Sequence, residues 1–155
     1  MKAVVQRVTK ACVRIEGKVV GEVQRGMVIF VGVMKGDTAV EAKKLALKIA
    51  TFRFFEDGSG RMNLNVSQAG CGVLVVSQFT LAADGRKGRR PSFDAAAPPA
   101  EAEPLYKLFA ETLEDEGLPV GRGVFGAHME VVCFGDGPVT FCLEEPPPGM
   151  PDFQN

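Results

Sequence analysis

The feature that most constrains the fold of this 155-residue chain is a pair of strongly apolar segments. They are MVIFVGVM at 27–34 and GVLVVSQFTL at 72–81. Neither approaches the roughly 18 residues that a membrane-spanning helix needs. Short apolar runs rich in β-branched residues are typical of buried strands. We therefore predict two buried strands, the second running from Gly72 to Leu81.

Further strand and turn signals surround these two segments. The N-terminal run AVVQRVTKACVRIEGKVVGEV predicts a hairpin that turns at 16–18. Phe52, Phe54 and Phe55 predict another strand, which ends in the turn cluster EDGSG. The segment from 120 to 143 is predicted to be β-structure again.

Two other segments carry helical signals. Gly36-Asp37-Thr38 predicts the start of a helix over 39–50, whose apolar residues recur at helical spacing. Pro98-Pro99 predicts the start of a second helix and Gly117 its end, with Pro104 acceptable only in the first turn. Strands with two inserted helices predict a single α+β domain with the helices on one side of a sheet.

The overall composition excludes few functions. Hydrophobic residues make up 46% and charged residues 24%, both ordinary for a globular protein, and the net charge is −1. Nucleic-acid binding would therefore need a local basic patch. Arg7 and Lys10 interrupt the region where a signal peptide would be apolar.

The cysteines and the single histidine argue against metal chemistry. The four cysteines form no C-x-x-C pair and lie in or beside apolar segments, so we expect buried free thiols in a reducing cytoplasm and no cofactor. With His128 as the only histidine, no metal site is expected. His128 could serve as a general base, but a structural or surface role is favoured because no triad partner is recognisable. The cysteines are Cys12, Cys71, Cys133 and Cys142.

One loop is locally basic. Arg86, Lys87, Arg89 and Arg90 lie within five residues in DGRKGRRPSF, in a chain that is otherwise slightly acidic. Such side chains on a glycine-containing loop suit phosphate contacts. A solvated basic loop is the alternative.

Polar residues at the end of the second apolar segment form another candidate site. Ser77, Gln78 and Thr80 lie just before the basic loop. Ser77 or Thr80 could be a nucleophile, although nothing visible in the sequence would activate either hydroxyl. Backbone N–H groups there could instead hold an oxyanion, and a plain strand end is the alternative.

Gly137-Pro138 interrupts a stretch that otherwise reads as strand. Proline cannot donate to a sheet ladder, and glycine frees the backbone that precedes it. The pair could be a hairpin turn between MEVVCF and VTFCL, or a piece of bare backbone presented to another molecule.

Five short motifs occur along the chain. They are MNLNV at 62–66, SQFTL at 77–81, RPSF at 90–93, FGAHMEV at 125–131 and GPVT at 137–140. Together they closely resemble the D-aminoacyl-tRNA deacylases, in a similarity that begins at VVQRV and runs to about Leu143. The resemblance implies a single-domain β/β/α layered fold with two helices over 1–145. Residues 146–155 are Pro-rich, lie outside the family pattern and are predicted to be a flexible tail.

The resemblance also implies how such an enzyme works. Gly137 and Pro138 would form a cis peptide that projects from one subunit of a homodimer into the other's active site. Their backbone would admit a D-aminoacyl group or glycine and exclude an L side chain. Arg7, Val139 and Thr140 would support this gate.

The rest of the implied site is the SQFT segment. Ser77, Gln78, Phe79 and Thr80 would line the pocket, their backbone binding the terminal adenosine and the ester carbonyl. The 2′-hydroxyl of the terminal ribose would assist hydrolysis, so no catalytic side chain is required. The expected substrates are D-aminoacyl-tRNA and glycyl-tRNA formed on tRNA(Ala), with the basic loop binding tRNA.

The sequence departs from the family pattern at Gly135, where asparagine is usual, which leaves the rigidity of the gate loop in question. Two rival interpretations remain. One is a nucleic-acid-binding module without chemistry, and the other is a thiol or serine hydrolase that uses Cys71 or Ser77.

Overall fold

The computed structural model describes residues 1–86 and 88–146. Within these ranges the chain forms eight strands and two helices. In order, they are β1 (Lys2–Ile15), β2 (Lys18–Val23), β3 (Gly26–Gly32), α1 (Ala39–Thr51), β4 (Phe55–Glu56), β5 (Met62–Leu64), β6 (Gly72–Ser77), α2 (Pro99–Asp115), β7 (Val120–Arg122) and β8 (Glu130–Glu144).

Six of the strands form one mixed sheet, in the order β2-β1-β3-β6-β7, with β8 also paired to β1. The parallel partners are β3 with β6 and β6 with β7, whereas β1 runs antiparallel to all three of its neighbours. β1 is long enough to pair with β3 through its first half, with β2 through its second half, and with β8 throughout. A separate hairpin is made by β4 and β5.

The central strands are buried on both faces. In β3, Met27 and Ile29 face a core shared with α1 and α2, whereas Val28 belongs to a second core. The second half of β1 and the first half of β8 cover that second core. Val13 of β1 belongs to it, and Val131 of β8 packs against it. The helices therefore lie on one side of the sheet, and folded-over strands cover the other, which confirms the α+β class and its layers.

The predicted hairpin turn and both helices are confirmed. Glu16 and Gly17 have positive φ angles of 50° and 78° and connect β1 directly to β2. At the start of α1, Thr38 and Glu41 form a reciprocal capping box. At the end of α2, Gly117 donates to the carbonyl of Glu114 and has a φ of 77°, the left-handed conformation in which glycine ends a helix.

Two strand predictions need correction. The strand that begins at Gly72 ends at Ser77 rather than Leu81, because the backbone leaves the sheet at Gln78 and forms a short 3-10 turn over Phe79–Ala82. The strand predicted over 52–55 is reduced to Phe55–Glu56. Of the two alternatives for Gly137-Pro138, the hairpin turn is excluded, because β8 continues through both residues.

The position of Pro104 is also different from the expectation. It lies inside α2 beyond the first turn. A proline there cannot donate to the carbonyl of Ala100, which is four residues earlier. Ala100 is exposed, so water can replace the missing donor.

The expectation of buried thiols is confirmed for Cys71 and wrong for Cys133 and Cys142, which are exposed. Cys12 is half-buried, and all four thiols are free. The two exposed cysteines lie on β8, which pairs with β1 alone in the described part of the chain, so much of its surface faces solvent. Apart from Pro146, the predicted tail lies outside the described residues.

Candidate functional site

The candidate site is built where β6 ends. Gln78 still donates its backbone N–H to Val31 of β3, at 2.7 Å, but its φ of −146° and ψ of 82° turn the chain away from the sheet. The 3-10 turn that follows holds Phe79 and Thr80 directly beyond the strand end. Because sheet pairing stops here, this backbone is free to face a ligand.

A cavity of about 660 Å³ opens at this strand end. Ser77, Gln78 and Phe79 lie along it, so the structure brings three of the four predicted SQFT residues to one cavity. Thr80 is not among the described lining residues, and its hydroxyl accepts a hydrogen bond from the side-chain Nε2 of Gln78. The remaining wall is mainly apolar and includes Phe93, Tyr106, Phe125, His128 and Met129.

Tyr106 was missed in the sequence analysis because it reads as an ordinary core position of α2. Its hydroxyl donates to the carbonyl of Val75 on β6, at 2.9 Å, and lies 3.3 Å from the carbonyl of Gly123. Burial raises the pKa of Tyr106 to about 12, so the hydroxyl stays protonated at neutral pH. It ties α2 and the 123–128 segment to the strand that carries the site.

His128 lies along the cavity but is exposed, and no hydrogen bond places it against Ser77 or any other hydroxyl in the described part of the chain. The motif FGAHMEV was the only sequence signal for this wall, and it also supplies Phe125 and Met129. A surface role for the histidine remains the prediction.

Gly137 and Pro138 form a bulge in β8. Gln6 pairs with Thr140 and Val8 with Gly135, so residues 136–139 all lie opposite Arg7 alone. The Gly137-Pro138 peptide is cis, as the resemblance implies, and Gly137 has a φ of 132°. Neither residue is among the described residues that line this chain's own cavity.

The side chain of Arg7 bonds to the first residue of the bulge. Its side chain is only 7% exposed, and its Nε donates to the carbonyl oxygen of Asp136 at 3.2 Å. The same nitrogen lies 3.2 Å from the Asp136 carboxylate, and Nη1 donates to the carbonyl of Phe54 at 3.1 Å. Glu56 lies 3.5 Å from Nη2. The guanidinium therefore joins the bulge of β8 to the β4 region.

Val139 and Thr140 complete the bulge. A methyl carbon of Val139 lies where a Cβ on Gly137 would meet it at 2.8 Å, so only glycine fits at 137 without a shift. Thr140 restores strand pairing and lies 3.4 Å from the Gln6 amide nitrogen. Gly135, where the family pattern has asparagine, has open space around a built Cβ.

The basic loop is closed at its base by two backbone hydrogen bonds between Asp84 and Ser92, of 2.8 and 2.9 Å. Arg86 is folded back onto Asp84, which accepts from its Nε and Nη2 atoms. These hydrogen bonds from Arg86 lower the pKa of Asp84 to about 2. Arg89 and Arg90 are exposed and carry no ion pair in the described part of the chain, whereas Lys87 lies outside the described residues.

The surroundings of Cys71 give little support to a thiol mechanism. Burial raises the pKa of the Cys71 thiol, which disfavours the reactive thiolate. Across residues 1–86 and 88–146 no group of three or more His, Cys, Asp or Glu side chains could hold a metal ion. No helix in those ranges is long and apolar enough to span a membrane.

Known proteins match this chain over nearly its whole length. Residues 4–144 match the model of a family described as D-Tyr-tRNA(Tyr) deacylase. A D-aminoacyl-tRNA deacylase of Geobacter metallireducens is 51% identical over 146 residues, covering 94% of this chain and 97% of that protein. A protein of the same name from Thermomicrobium roseum is 52% identical over 144 residues, covering 93% and 94%.

Two solved structures share the fold. One, titled c-Myc DNA Unwinding Element Binding Protein, superposes with a TM-score of 0.88 at 41% identity, covering 94% of this chain and 99% of that one. The other, titled a probable eukaryotic D-amino acid tRNA deacylase, has a TM-score of 0.80 at 16% identity, covering 93% and 98%. With the family match and the two relatives at about half identity, these findings establish that the chain belongs to the D-aminoacyl-tRNA deacylase family and is an enzyme of that class.

Proposed function

We propose that the chain hydrolyses the ester bond of D-aminoacyl-tRNA, and of glycyl-tRNA formed on tRNA(Ala), as a homodimer. Water adds to the ester carbonyl carbon, the bond to the ribose oxygen breaks, and a proton passes to that oxygen. The products are the free amino acid and tRNA. The reaction would take place in the cavity beyond β6, with Ser77, Gln78, Phe79 and Thr80 around the aminoacyl end.

One observation carries this proposal. The bare backbone at Gly137 and Pro138 is held by a buried arginine, yet it does not line the cavity of its own chain. A bulge in which Gly137 carries no side chain, and which lines no described pocket of its own chain, is suited to enter the pocket of a second copy. There it would act as a gate that rejects every L side chain, because all L side chains leave the Cα atom in the same direction.

The polar groups around the cavity favour substrate-assisted chemistry. The hydroxyl of Thr80 accepts from the side-chain amide of Gln78, and in the described part of the chain no hydrogen bond links the Ser77 hydroxyl to a base. The 2′-hydroxyl of the terminal ribose would supply the assistance that no side chain offers here. The protein would contribute positioning and backbone donors near the developing oxyanion.

The decisive experiment is single-turnover deacylation of matched D-aminoacyl-tRNA, L-aminoacyl-tRNA and glycyl-tRNA. We expect rapid release from the D-form and glycine and none from the L-form. A nucleic-acid-binding module without chemistry would bind all three substrates and hydrolyse none. A serine hydrolase would lose activity in Ser77→Ala, whereas the proposed mechanism predicts substantial activity in that variant and in His128→Ala.

The homodimer is tested separately by light scattering at micromolar concentration. Since the gate would come from the partner, a monomer with full activity would refute the cross-subunit arrangement.

A further inference from the structure

An exposed aromatic pair lies at the mouth of the cavity. Phe79 is 59% exposed, which is unusual for so large an apolar side chain. Its ring meets the ring of Phe93 edge to face, with centroids 5.2 Å apart. Both residues line the cavity, so the pair continues the site outwards to the surface. Most of the Phe79 side chain is therefore exposed in the single chain.

Positive charge lies directly beside this pair in the chain. The hydrogen bonds between Asp84 and Ser92 close the basic loop immediately before Phe93. Within this loop, Arg86 forms an ion pair with Asp84. Arg89 and Arg90 are exposed and form no ion pair with the described part of the chain. The loop base therefore places two available guanidinium groups close in sequence to the aromatic pair.

We propose that Phe79 and Phe93, with Arg89 and Arg90, form a platform for the single-stranded nucleotides immediately 5′ of the terminal adenosine. This proposal rests on the proposed function, because it assumes that the terminal adenosine occupies the cavity. A base stacks on the open face of Phe79, and the arginines contact the phosphates that lead into the cavity.

The chemistry of the platform matches a single strand. Exposed aromatic rings beside a basic groove are the usual means of holding single-stranded nucleic acid, because every base offers a face for stacking. Paired bases are already stacked on each other and would leave the ring of Phe79 unused. Arg89 and Arg90 would add affinity that is sensitive to salt and independent of sequence.

The test compares two non-hydrolysable probes. The short probe is 3′-amino-adenosine carrying D-alanine in amide linkage, and the long probe is the same group at the end of a CCA trinucleotide. The ratio of their dissociation constants reports the two added nucleotides alone. We expect the long probe to bind the wild-type enzyme tighter by about fivefold or more, and Phe79→Leu to remove most of that advantage.

Replacement of Arg89 and Arg90 together by alanine should lower the salt slope of long-probe binding by about 1.4. Arg61→Ala, at an exposed arginine in the turn before β5, is the matched control and should leave the slope unchanged. Phe93→Leu is a second aromatic variant, in case Phe79→Leu perturbs folding, which circular dichroism would reveal.

The possible failures are distinguishable. If the wild-type enzyme hydrolyses D-aminoacyl-tRNA but the ratio is unaffected by Phe79→Leu and by Phe93→Leu, the platform is refuted and the proposed function stands. If the wild-type enzyme binds both probes and hydrolyses no aminoacyl-tRNA, the proposed function is refuted instead.

Discussion

Replacing Gly137 by alanine tests the gate where the structure gives the sharpest expectation. A Cβ atom at this position would lie 2.8 Å from the backbone nitrogen of Val139 and 2.8 Å from one of its methyl carbons. The φ angle of 132° is also one that residues with a side chain rarely adopt. Both effects act on the bulge itself and leave the cavity wall of the same chain untouched.

The two effects can be given magnitudes. Forcing a non-glycine residue into such a backbone region costs about 1–3 kcal/mol. The close contact with Val139 adds about 1–3 kcal/mol, because the backbone nitrogen can only move with the loop. The sum, about 2–6 kcal/mol, favours a displaced bulge. If hydrolysis needs the bulge in place, 2 kcal/mol corresponds to a rate lower by about 30-fold or more.

The assay is single-turnover hydrolysis of D-aminoacyl-tRNA by folded Gly137→Ala, with L-aminoacyl-tRNA measured in parallel. The matched control is Gly135→Ala, two residues earlier in β8, where a Cβ has open space and φ is not positive. The control should keep its activity and gain about 0.4–1 kcal/mol of stability through a less flexible unfolded chain. Equal D-aminoacyl-tRNA rates in the two variants would refute the gate.

Three further outcomes follow from the described contacts. Arg7→Met should lower the free energy of unfolding by about 1.5–3 kcal/mol in denaturant titration, because the buried carbonyl of Phe54 loses the donor that Arg7 provides. Tyr106 is the only tyrosine, so alkaline titration of tyrosinate absorbance should give a midpoint near 12 in the folded protein. For full-length tRNA, replacing Arg89 and Arg90 by alanine should reduce the salt dependence of binding, per arginine removed, more than Arg86→Ala does, because Arg86 is already paired.

A specific result would contradict each of these predictions. Unchanged unfolding of Arg7→Met would mean that its hydrogen bonds contribute nothing net. Because the raised pKa of Tyr106 means that the folded state holds the proton more tightly, stability should fall as the pH rises from about 10 towards 12. A folded-state midpoint at 10, as in denaturant, would contradict the buried hydroxyl. If Arg86→Ala lowers the salt slope by as much as each arginine of the double variant does on average, pairing to Asp84 does not matter.

Much of the fold was predictable because local signals agreed with it. Thr38 and Gly117 are a helix start and a helix end in sequence and in structure, and each acts through bonds to near neighbours. The end of β6 was placed four residues too late. Phe79 and Leu81 have the composition of a strand, and only the turn at Gln78, set by the surrounding chain, takes them out of the sheet.

The candidate site divides in the same way. The SQFT residues and the Gly-Pro pair were recognisable because they are short, contiguous motifs. Tyr106 was not recognisable, since its role depends on carbonyls 31 and 17 residues away along the chain. The pairing of Arg86 with Asp84 was equally invisible, because four neighbouring cations look equivalent until the loop conformation separates them.

The two ends of the main sheet path, β2 and β7, lie against each other at Gly21 and Gly121. A Cβ on Gly21 would overlap the carbonyl oxygen of Arg122, so side chains are excluded from this contact. A strand at a sheet edge ordinarily invites pairing with other chains and thus aggregation. These two edges shield one another, and larger residues at either glycine would separate them. We therefore expect such variants to fail first by loss of solubility during expression.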